Sequence, residues 1–400
     1  MIIRDSLACE TCGHIHTVRV GMGQEEYHQH QFNCRQCQQP ITIALRVSYR
    51  DVSAVIEIVD NASPAIFGQE GTIVNLDANF LIPEDMQGVD GAFPRLAQMH
   101  EIAELALKKN PNLEYSEEFR RPDYLAEWND VRKAWALRRA NQVKLEAARV
   151  HKFSPQYYSD PPENLSDWVW RLSLKVSGPD ASVKAKAIIS ELEKLSGGNE
   201  TEEFLEYYEA HMSKTRGQRY LSIFKEYFDA YSEFAQVLFL LHGGLDIPDG
   251  ATASSVNFDR TKMFYGNAFE VLSSSVDLLA CLNNLIEGRK FDTFLTMNLA
   301  DYYKLDKSSR FNPFAKNAAF TDICQEADNQ IRNASHHGSF QLDEKSGIIS
   351  FRSGKGGQGP LQKLSYAQYL AKCCRIFFEI NGILELELIM QTTLGTSAPL

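Results

Sequence analysis

Two short words, CETC at residues 9–12 and CRQC at 34–37, constrain this chain more than anything else in it. Two thiolates three positions apart on a tight turn can face one ion, and two such knuckles complete a tetrahedron of sulfur around Zn²⁺. Cys12 and Cys34 have 21 residues between them. That is just beyond the usual zinc-ribbon interval, but it suits a two-strand ribbon between the knuckles. A β-branched run follows each pair, HTVRV after the first and ITIALRV after the second. Cys9, Cys12, Cys34 and Cys37 are therefore expected to hold a structural zinc ion. The module, residues 1–50, should depend on that ion to fold. A redox pair or another metal is the competing reading. Four sulfurs leave no open coordination position, so catalysis at zinc is not expected. His14, His16, His28 and His30 lie in the same stretch and are expected at the surface rather than as ligands. The other cysteines, Cys281, Cys324, Cys373 and Cys374, are scattered as buried thiols are, not as a disulfide framework.

Beyond residue 50 the punctuation divides the chain further, as its 400 residues would suggest. Residues 51–152 begin with short strands, VSAVIEIVD and GTIVNLDANF, and then turn helical. The run DYLAEWNDVRKAWALRRANQVKLEAARVHK reads as one helix with Asp123 as its N-cap and an apolar stripe of Tyr124, Trp128, Val131 and Trp135. Three prolines in FSPQYYSDPPENLSD mark a linker, and residues 153–254 form a helical middle region. Residues 255–400 have a definite order. A long helix, MFYGNAFEVLSSSVDLLACLNNLIEG, comes first, and then FTDICQEADNQIRNASHH. A hairpin turning at Lys345-Ser346-Gly347, a Gly-rich loop and a last helix, SYAQYLAKCCRIFFEINGILELELIM, follow. The expected architecture is mainly α, with a β zinc ribbon at the N-terminal end.

A formal net charge of −11 means that the molecule as a whole repels polyanions, so nucleic acid would need a local basic patch. The opening MIIRDSLACE lacks the basic segment and long apolar run of a secretory leader. No run of about 18 apolar residues stands out as a membrane span. A cytoplasmic chain without a membrane partner is expected.

QIRNASHHGS, residues 330–339, gathers an arginine, an asparagine and two histidines at a helix end. Metal-free cleavage of RNA needs a base for the 2′-OH, an acid for the leaving 5′ oxygen, and a cation for the charge developing on phosphorus. Histidine suits the first two tasks and arginine the third. Histidine is also common in last helical turns for dipole reasons alone.

Arg332-Asn333-Ala334-Ser335-His336-His337 fits R-N-x-x-x-H and resembles the motif of the HEPN superfamily (higher eukaryotes and prokaryotes nucleotide-binding). The order of elements over residues 255–392 is similar too. The resemblance implies a helical-bundle domain with a β-hairpin insertion. It also implies a homodimer in which two motifs face one cleft, and metal-independent endoribonuclease activity of the toxin or antiviral-defence type. By position Arg332 would hold the scissile phosphate, Asn333 would orient the site, and His337 would be the general acid or base. Helical geometry names a rival. At about 100° per residue, His336 lies about 40° from Arg332 and His337 about 140°. Some members of the superfamily only bind RNA or only dimerise, so a non-catalytic RNA-binding or scaffold protein is the alternative. A regulatory protein partner would restrain an active form.

Other signals read as structure. Residues 130–152 carry seven Lys or Arg against Asp130 and Glu146, most simply as a solvated helix face, with an RNA surface as the alternative. SGKGGQGP, residues 353–360, lacks the spacing of a phosphate loop. The aromatics Phe204, Tyr207, Tyr208, Tyr220, Phe224, Tyr227, Phe228 and Tyr231 recur at helical intervals as a core would.

Overall fold

Each cysteine pair closes a tight turn. Gly13 N–H donates to Cys9 O at 2.8 Å, and Gln38 N–H donates to Cys34 O at 2.9 Å. Both turns need a left-handed residue just after the second cysteine, Gly13 at φ 76° and Gln38 at φ 59°. The structure, a computed structural model, describes residues 1–400 apart from 24, 49, 52, 67, 110–123, 179, 196–197, 255–256, 337–338, 344 and 355–357. Helix outweighs strand in it, 53% to 18%, so the mainly α description holds for the chain.

The strands are β1 (Ile2–Cys9), β2 (Ile15–Gly21), β3 (Tyr27–Asn33), β4 (Pro40–Ser48), β5 (Ser53–Asp60), β6 (Ala62–Pro64), β7 (Thr72–Asp77), β8 (Gln341–Asp343), β9 (Ile348–Arg352) and β10 (Leu361–Ser365). They form sheets in the orders β6-β1-β2-β7, β3-β4-β5 and β10-β9-β8. All pairings are antiparallel except β2 with β7, which runs parallel from His16↔Thr72 to Gly21↔Asp77. The first knuckle joins β1 to β2, and the second joins β3 to β4. Leu7, Val18 and Val20 from one sheet and Ile41, Ile43 and Leu45 from the other share one apolar core with Cys9 and Cys34. The sheets thus continue past residue 50 through β5, β6 and β7.

Two units make up the chain. The first comprises Met1–Arg120, Ala230–Met263 and Ala334–Cys374. It holds all three sheets, the helices Pro94–Lys109 and Tyr231–His242, and the start of Tyr366–Leu394. The second comprises Arg121–Asp229, Phe264–Asn333 and Arg375–Leu400, and is helical. Aromatic stacking builds its core, with Trp128 on Phe228 at 4.8 Å and Tyr227 on Phe377 at 3.9 Å. Of the expected aromatic core, Tyr207 alone is not fully buried.

A charged network is buried within that unit. Arg216 donates from Nη2 to Asp277 and pairs through Nε with Glu387 Oε1 at 3.2 Å. Tyr220 and Tyr208 donate hydroxyls to Glu387 at 2.5 and 3.2 Å, and Tyr303 donates to Asp277 at 3.2 Å. Burial pushes the Glu387 carboxyl above the usual range, against the pull of Arg216.

Several elements differ from the sequence reading. The run after Asp123, itself outside the described residues, is two helices, Tyr124–Arg139 and Val143–Phe153. Asn141 at φ 57° turns the chain between them. Folding back pairs the basic residues at home, Arg149 with Asp130 at 2.5 Å and Arg138 with Glu146 at 2.8 Å. The long helix of the C-terminal region breaks at Val276, giving Phe264–Ser275 and Asp277–Ile286. The stretch FTDICQEADNQIRNASHH is not continuous, because the motif helix begins only at Asn329. The hairpin turns where expected, with Gly347 at φ 64° donating to Asp343 O at 2.9 Å. β10 then adds a third strand at a place read as loop. Lys355, Gly356 and Gly357 lie outside the described residues. One stretch, Phe258–Ile286, is long and apolar enough to cross a membrane by composition, but 78% of its apolar window is buried, as in a core helix.

Candidate functional site

Two places bring chemistry-bearing side chains together, one in each unit. In the first unit the four knuckle cysteines converge. Cys9 Sγ lies 3.8 Å from Cys37 Sγ, and Cys12 Sγ lies 3.6 Å from Cys34 Sγ. All four sulfurs fall within 4.8 Å of one another. A tetrahedron with metal–sulfur bonds of about 2.3 Å has edges of about 3.8 Å, so the cluster could hold one metal ion. Among the described residues no other group of His, Cys, Asp and Glu does so. The Cys34 thiol is lowered to about 7. Burial raises it, and backbone N–H bonds from Cys37 and Gln36 together with the Cys37 and Cys12 thiols more than offset that.

The neighbouring histidines correct an expectation. His16, His28 and His30 are buried, not at the surface. Alternation along β3 turns His28 and His30 inward, and β2 is covered on both faces. His16 Nε2 lies 3.3 Å from Cys34 Sγ, so it touches the cluster from outside the sulfur set. His30 Nδ1 lies 3.2 Å from Ser254 Oγ. Burial lowers His28 to about 4, and burial with the neighbouring His28 lowers His30 to about 3.

The helix Asn329–His336 carries the motif from Arg332 to His336, with Arg332 and Asn333 in the second unit. Asp328 Oδ1 caps its first turn, accepting from Gln330 N–H at 2.7 Å and Ile331 N–H at 3.3 Å. Tyr265 Oη accepts from Asp328 N–H at 2.9 Å and donates to Glu326 O, which pins the helix start to Phe264–Ser275. Arg332 then lies against that same helix. Its Nε donates to Glu270 Oε1 at 2.8 Å, its Nη2 also reaches Glu270, and its Nη1 donates to Asn333 Oδ1 at 2.8 Å. The Arg332 and Glu270 side chains are 27% and 32% exposed, so the guanidinium is aimed but reachable. Lys307 Nζ lies 3.8 Å from the other oxygen of Glu270 and donates to Ser274 Oγ.

The unit boundary falls within this helix, between Asn333 and Ala334, so His336 belongs to the first unit. His336 is the last described residue of the helix and is exposed. His337 and Gly338 lie outside the described residues. Sequence reading missed Glu270 and Lys307, each far from the motif in the chain. The available signal was Glu270 itself, one of two charges, with Asp277, in the apolar run from Phe264 to Ile286.

Compared with protein-family models, with curated proteins and with solved structures, the chain matches none.

Proposed function

We propose that this protein is a metal-independent endoribonuclease of the toxin or antiviral-defence type. RNA would be cut by attack of its own 2′-OH, in a cleft shared by two copies of the chain. The observation that carries this reading is the Arg332 guanidinium. It is about a quarter exposed, oriented by Glu270 and Asn333, and set in a capped helix that carries His336. A guanidinium so fixed can take phosphate oxygens without reorganising as charge develops. One histidine, His337 by the motif or His336 by the helix face, would carry the proton. The cysteine cluster would hold structural zinc, and the ribbon would serve recognition or control, including by a regulatory partner.

A second reading, a non-catalytic RNA-binding or scaffold protein, is favoured by one contact. Glu270 neutralises much of the charge that Arg332 would offer to phosphate. Cleavage of mixed RNA in excess EDTA separates the two. Cleavage by wild type that disappears in Arg332→Ala and in one of His336→Ala or His337→Ala, each checked for folding, establishes the nuclease. A folded, dimeric wild type without cleavage, and without Arg332-dependent toxicity in cells, leaves the scaffold.

A further inference from the structure

Around Glu270 the second unit collects more positive charge than it neutralises. Lys307 and Arg332 share that one carboxylate. Arg219 donates from Nη1 to Ser274 O at 3.2 Å, on the same turn of helix that receives Lys307 at Ser274 Oγ. Arg310, one turn beyond Lys307, donates from Nη2 to Tyr303 O at 3.0 Å. Carbonyl oxygens fix an arginine's direction without cancelling its charge. Neither Arg219 nor Arg310 has an ion pair among the described residues. Asp277, the other carboxylate that acts on Lys307, is already held by Arg216 and Tyr303. Lys307 registers the crowding. Burial, then Arg310, lower its pKa, with Glu270 opposing them and Arg219 adding to the fall. In a chain of net charge −11 this is no reflection of average composition.

Like charges held together by rigid backbone acceptors cost stability unless an anion completes them. From this we infer that Arg219, Lys307 and Arg310 form a phosphate track that receives the backbone of a single RNA strand and leads it to Arg332. Planar arginine forks suit phosphate oxygens, and a row of cations suits a polymer whose charges repeat. The inference rests on the nuclease reading for the identity of the polymer, not for the positive track itself.

The test measures binding apart from chemistry. The full chain is titrated against a fluorescent 2′-O-methyl oligoribonucleotide, which lacks the attacking hydroxyl, across a range of salt. Arg219→Glu, Lys307→Gln and the remote control Lys194→Glu are compared with wild type. Arg219 is exposed, so its variant decides the matter if Lys307→Gln fails to fold. The expected result is binding weakened about tenfold in Arg219→Glu. The slope of log affinity against log salt should be shallower by about one for each phosphate that is no longer neutralised. Variants that bind like Lys194→Glu overturn the track. So does a wild type that prefers a polyglutamate peptide, which would mark an acidic protein as the occupant. Cleavage of ordinary RNA with unchanged binding in Arg219→Glu keeps the nuclease and removes the track. Arg219-dependent binding without cleavage keeps the track and removes the nuclease.

Discussion

Two arginines show how surroundings decide what a charge is for. Arg332 is paired yet a quarter exposed, and pairs of that kind contribute about 0–1 kcal/mol to stability. Arg216 is 1% exposed and stands between two carboxylates and the tyrosines that share them. Removing it strands those carboxylates in a low-dielectric core. Arg216→Met is therefore expected to cost about 3–5 kcal/mol in a urea titration. Arg332→Met should cost under about 1 kcal/mol, and under the proposed nuclease reading it abolishes cleavage. Equal losses from the two would show that Arg332 is a structural residue. The sequence made Arg332 visible because its neighbours in the chain complete a motif. Arg216 was invisible, because its partners come from 61 positions away and, in Glu387, from much further.

Strands and helices were legible wherever their own period governs them. The knuckles, the β8–β9 turn at Gly347 and the last helix follow from local residue choice. Ser365 and Gln368 even cap that helix reciprocally, at 2.9 and 3.1 Å. β10 was not legible, because LQKLS is a polar edge strand that only its partner β9 defines. The eight-residue motif helix was overestimated because its apolar period carries on upstream while the backbone does not. β3 held a further surprise in its two inward histidines, and these give the element a pH dependence. Both fold with pKa values below the unfolded value of about 6.5, so the unfolded chain takes up protons first. Their contribution is complete above about pH 6.5 and is lost as pH falls toward 4 and then 3. The loss is up to about 1.4 kcal/mol per residue per pH unit. Urea midpoints compared at about pH 7.5 and about pH 5.5 should fall less in His28→Phe/His30→Phe than in wild type. Parallel falls would discard the explanation, since acid release of a metal is common to both proteins.

For the whole molecule, both units draw on stretches far apart in sequence. Composition and punctuation divide a chain only along its length, so contiguous spans were what the sequence could offer. A fragment of residues 255–400 lacks Trp128, Phe224, Tyr227 and Phe228. In the second unit Phe224 and Tyr227 pack directly on Phe377. That fragment is expected to bind a hydrophobic dye and to melt without a cooperative transition, by fluorescence and circular dichroism. A sharp transition would show that the C-terminal region carries a sufficient core of its own.

The interleaving also sets a timetable. On a ribosome the cysteine sheets can close early, from local hairpins. The bundle around Arg216 must wait for Glu387, some fifty residues after Arg332 has been made. At about 5–20 residues per second that is several seconds in which the motif exists as sequence but not as a supported side chain. Under the proposed nuclease reading, the nascent chain stays harmless beside the messenger that encodes it until Glu387 has been made.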